Sequence, residues 1–78
     1  MVYGLVSKEL QIMISNALKK AGHGWCMVMN GDGIPRCPST SYDGCKRQVT
    51  NKYGRHVLKR VEFRRIAQRD DGMFGIVH

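Results

Sequence analysis

Acidic side chains are scarce in this chain: six Asp and Glu stand against thirteen Lys and Arg, and between Lys46 and Arg69 the single acid Glu62 faces nine bases. That scarcity excludes a paired-carboxylate catalytic site. Asp32, Asp70 and Asp71 fall in turn-forming stretches and Glu9 in the first turn of a helix, where local structure accounts for them. Long apolar runs are also missing. Val2 to Val6 gives five residues before Ser7, Lys8 and Glu9 interrupt, too few for a bilayer span or a signal-peptide core, so no membrane partner is expected. Cysteine is limited to Cys26, Cys37 and Cys45, an odd number at uneven spacing. This argues against a disulfide framework and for reduced thiols, with the cytoplasm as the simplest location. Aromatic residues make up only 8% of the chain, which leaves few rings for stacking on bases.

What is present in quantity is positive charge, and it is focused. The formal net charge is +7, whereas Lys46 to Arg69 alone carries +8, so the rest of the chain is close to neutral. A focused basic segment is the electrostatic footprint of a protein that meets a polyanion or an acidic protein surface. Seventy-eight residues make one domain, 1–78, which buries about 60% of its unfolded surface and is correspondingly marginal.

Apolar residues Leu10, Met13, Ile14, Ala17, Leu18 and Ala21 recur at three- and four-residue steps and predict a helix over 7–21, with Ser7 as N-cap and Gly22 as stop. Trp25 to Met29, followed by Asn30-Gly31, reads as the first arm of a hairpin whose second arm is kept short by Pro35. The unbroken apolar character of that first arm suggests cover on both faces. A second helix is expected over 42–53, capped in Ser39–Ser41 and stopped by Gly54, with a cost of about 1 kcal/mol for Gly44 inside it. Arg55 to Gln68 reads as one strand with Val57, Val61, Phe63 and Ala67 on one face and Arg60, Glu62 and Arg64 on the other. A turn at Arg69–Gly72 and a strand over 73–77 complete the chain. The expected fold is α+β, a small two-layer α-β-β-α-β-β domain with an antiparallel sheet and two helices on one face.

The candidate binding residues are the nine bases Lys46, Arg47, Lys52, Arg55, Lys59, Arg60, Arg64, Arg65 and Arg69. Arg60 and Arg64 would form a row on the open sheet face, with Lys46, Arg47 and Lys52 extending it from the second helix; arginine's planar fork suits phosphate or carboxylate. Trp25, Tyr53 and Phe63 fall on apolar faces and read as core rather than as a stacking platform. Leu58 and Ile66, apolar ends of the basic face, are the residues through which a homodimer contact would form. His23-x-x-Cys26 has acceptable zinc-ligand spacing, but Cys37 and Cys45 do not complete a set, and no metal or other cofactor is expected. His56 beside Arg55 is a minor candidate for ribonuclease chemistry. Gly22/Gly24 and Gly31/Gly33 lack the following helix and Lys-Ser/Thr of a phosphate cradle.

Two stretches carry partial resemblances. Ser7-Lys8-Glu9-Leu10 through Lys20-Ala21-Gly22 is similar to the opening of small HicA-type mRNA-cleaving toxins, but their second-strand catalytic His has no counterpart beside Gly33 or Ile34, so the activity does not carry over. Tyr53-Gly54-Arg55, with the ending from Asp71-Gly72 to His78, is similar to the start of small HNH nucleases, and everything that family needs after its first His is absent. Together these observations lead to the expectation of a non-enzymatic module that engages nucleic acid or a nucleic-acid-handling complex. The alternative is an inhibitor of the kind that phages and mobile elements encode, occupying an acidic surface of a host protein or ribonucleoprotein complex.

Overall fold

The computed structural model describes residues 3–4, 6–29 and 32–77, so the Asn30-Gly31 turn lies outside the described residues. In chain order its elements are β1 (Tyr3–Gly4), α1 (Lys8–Leu18), β2 (His23–Met29), β3 (Arg36–Ser39), α2 (Tyr42–Tyr53), a 3-10 turn over Arg55–Lys59, β4 (Val61–Gln68) and β5 (Phe74–Val77). The strands form one antiparallel sheet in the order β1-β5-β4-β2-β3. The α+β class and the α-β-β-α-β-β order match the expectation, with the short β1 added at the edge beside β5. No helix among the described residues is long and apolar enough to cross a membrane.

Local chemistry explains most boundaries. Ser7 Oγ accepts the Leu10 N–H at 3.4 Å and starts α1; Ser41 Oγ accepts the Gly44 N–H at 3.0 Å and starts α2. Gly54, at φ +92°, ends α2 at the expected position. α1 differs, since it closes at Lys19, whose φ is +54°, and does not run on to Gly22. The early exit lets β2 begin at His23 and brings Gly24 under α1, where a Cβ would collide with Leu18 Cδ2 and the Ser39 carbonyl. A Lys in the left-handed region is an unfavourable choice that this packing imposes.

The segment after Gly54 corrects the expectation of a strand from Arg55. Residues 55–59 wind into a 3-10 turn because Val57 and Leu58, adjacent in sequence, both pack against Met27, Cys37, Cys45 and Val49. An extended strand would have sent these neighbours to opposite faces. β4 therefore starts six residues later than expected, at Val61.

The placement of both helices on one face is also corrected. β2 and β4 pair without interruption from His23↔Ala67 to Met29↔Val61, so successive residues point to opposite sides. Cys26, Val28, Ile66 and Ile76 pack with Ile14 and Leu18 of α1, while Met27 packs with Cys45 and Val49 of α2. Each helix thus closes its own core on its own side of the sheet. They approach each other only past the β3 edge, where Met13 and Ala17 face Gln48 and Lys52 across Cys37 and Pro38. There β3 carries a bulge, with Cys37 at φ +53°.

Gln11 adds a tie invisible to periodicity. Its amide donates to the Phe74 carbonyl at 2.5 Å and accepts the Phe74 N–H at 2.8 Å, pinning α1 to β5.

Candidate nucleic-acid interface

The nine bases separate into three environments. Lys46 and Arg47 stand exposed on α2, and the 3-10 turn brings Arg55 beside them. These three side chains line one depression of about 500 Å³ together with Asp43, Thr50, Asn51 and Leu58. Among the described residues none of the three is held in a salt bridge. Lys59 and Arg60 are exposed at the far end of the same turn.

A second group is occupied elsewhere. Arg64 is ion-paired with Glu62, two residues away on the same face of β4, and Arg69 with Asp71 at 3.5 Å in the β4–β5 turn. Lys52 lies on the opposite flank of α2, lining the groove beside Cys37 and Pro38, with its Nζ 5.4 Å from the Tyr53 ring centre. The expected row of Arg60 and Arg64 does not form, because Arg60 closes the 3-10 turn and only Arg64 belongs to the strand.

Arg65 defines the third environment. It points to the other face of β4, where its guanidinium carbon sits 5.7 Å from the Trp25 ring centre on the paired strand. Tyr42, the first residue of α2 and 41% exposed, stands edge-on to Trp25 at 5.3 Å and to Phe63 at 4.9 Å. Trp25 and Phe63 are half-buried, neither sealed in the core nor free. Tyr42 was not among the sequence candidates as a site residue. Its signal was position: directly after the Ser41 cap, it begins the helix at the sheet surface.

The remaining candidates disperse. Ile66 is fully buried under α1 and Leu58 half-buried near α2, so they make no joint surface for a second copy. Cys26, Cys37 and Cys45 are free and buried. Burial pushes the Cys26 and Cys45 thiols up to about 12, so both stay protonated at neutral pH. Cys37 moves in the same direction for the same reason. His23 and His56 are exposed, and no group of three His, Cys, Asp or Glu is gathered as a metal-ligand set among the described residues. No family model, curated protein or solved structure matches the chain.

Proposed function

We propose that the chain is a small basic binding module, not an enzyme, that engages nucleic acid through the Lys46, Arg47 and Arg55 depression, with Lys59 and Arg60 beside it. One observation carries the reading: cations from two different elements converge on one hollow, free of ion pairing among the described residues, with Asp43 the only acid lining it. Such a hollow attracts phosphate and supplies affinity without reading sequence. Three free, buried thiols support a reducing compartment, and we place the module in the cytoplasm on that ground.

Fluorescence polarisation with labelled DNA duplex over a salt series tests the proposal. Three to five neutralised phosphates give a log-log slope of about −2.7 to −4.5. Reversing Lys46, Arg47 and Arg55 together to Glu, in protein shown to be folded, abolishes binding. Unchanged binding in that triple variant refutes the site. A salt-insensitive interaction with one saturable protein partner that survives nuclease treatment refutes the nucleic-acid reading in favour of a protein-blocking inhibitor.

A further inference from the structure

We infer that the ligand is single-stranded, and that Tyr42 and Trp25 form a base-stacking platform continuous with the cationic depression; this rests on the nucleic-acid reading above. Duplexes hide their bases, whereas a single strand offers each base's face to an aromatic ring. The face of β2 and β4 beyond the start of α2 presents Trp25, Phe63 and Arg65 side by side, with exposed His23 on the same side of β2. Tyr42 stands over this surface with interplanar angles of 82° to Trp25 and 60° to Phe63. Neither ring lies parallel on it, and with 41% of the residue exposed its ring remains available to an incoming base. Arg65 beside Trp25 adds a planar cation suited both to stacking and to the phosphate between two bases.

Continuity with the charged hollow follows from helix geometry. Lys46 lies four residues after Tyr42, about one turn along α2, and itself lines the depression with Arg47 and Arg55. A strand whose base rests on Tyr42 therefore runs its phosphates toward those three cations. A purely electrostatic patch explains the charges but not an exposed tyrosine and half-exposed tryptophan beside an arginine on the same sheet face.

Trp25 is the only tryptophan, so its emission reports directly on this surface. The probes are oligo-dT, oligo-U, a DNA duplex of equal length and inorganic polyphosphate, which has the charge without bases. Both single strands should quench Trp25, while duplex and polyphosphate leave its emission largely unchanged. Tyr42→Leu should weaken oligo-dT and oligo-U about tenfold, within the range of one lost stacking contact. The same variant should leave polyphosphate affinity unaltered, and Tyr42→Phe should bind like the parent. Parental single-strand affinity in folded Tyr42→Leu overturns the inference, as does equal quenching by polyphosphate. If all four probes bind alike and depend only on Lys46, Arg47 and Arg55, the binding function stands and the stacking platform falls. If none binds, both fall.

Discussion

Replacing Leu18 by Ala tests how the first core is closed. Leu18 is 1% exposed and packs with Ile14, Cys26, Val28, Ile66 and Ile76 at the last turn of α1. Leu→Ala in a core costs about 2–5 kcal/mol, the larger values arising where neighbours cannot collapse into the space. Collapse is hindered here. Gly24 directly beneath has no side chain to swing in, and β2 is paired on both edges and covered on both faces. The expected loss is therefore about 3–5 kcal/mol, against a total stability of about 4–12 kcal/mol for a domain of this size. Thermal unfolding followed by circular dichroism should show a midpoint lower by on the order of 20 °C. Ile12→Ala on the same helix, at a position 57% exposed, should stay within about 0.5 kcal/mol of the parent. Urea titration giving Leu18→Ala within about 1 kcal/mol of the parent, at unchanged denaturant slope, would refute this account of the core.

Because the two helices close separate cores, Ile14→Val and Val49→Ala should have additive stability effects to within about 0.5 kcal/mol; a larger coupling in a double-mutant cycle would mean a shared core. The Arg60→Glu, Arg64→Glu double variant should reduce polyanion affinity less than Lys46→Glu, Arg47→Glu, since Arg64 already has Glu62 as a partner; salt-dependent binding of the two variants decides it. The raised Cys26 and Cys45 pKa values make the native state retain protons that an unfolded thiol loses. Their stabilising contribution is complete below about pH 9 and is lost as pH rises towards 12, so a Cys26→Ala, Cys45→Ala variant should lose stability less steeply over that window in urea titrations. Leu18→Asp or Val49→Asp should abolish folding, seen as loss of cooperative melting, because each buries an unpaired charge.

α2 was legible to the residue because its signals are local: a serine cap, an apolar stripe and a glycine that takes positive φ. The antiparallel pairing of β2 with β3 was legible as well, though the Asn30-Gly31 turn that signalled it lies outside the described residues. The 3-10 turn was not, since Val57 and Leu58 are both drawn to one core by tertiary packing that overrides the alternation suggested by their neighbours. The sides taken by the two helices were only half legible. The continuous apolar run Trp25 to Met29 already implied two covered faces, but helical amphipathicity carries no record of which side of a sheet a helix will choose. The basic site was legible as composition and not as geometry. Nine charges in one segment marked the region, while α2, the turn and the two faces of β4 divided them among different surroundings. Arg64 beside Glu62 could have been discounted from spacing alone, because residues two apart in a strand share a face.

Among the described residues β2 is the one strand that contributes buried side chains to both cores, Cys26 and Val28 on one side and Met27 on the other. Opening either helix exposes one flank of β2 but leaves its hydrogen bonds to β4 in place, so this ladder is the last part of the fold to come apart. The slowest-exchanging amides in the molecule should accordingly cluster at residues 25–28, and their exchange should require global unfolding. A single seven-residue strand is thereby the element on which two separate cores both depend, and the two-state unfolding usual for a domain this small turns on it.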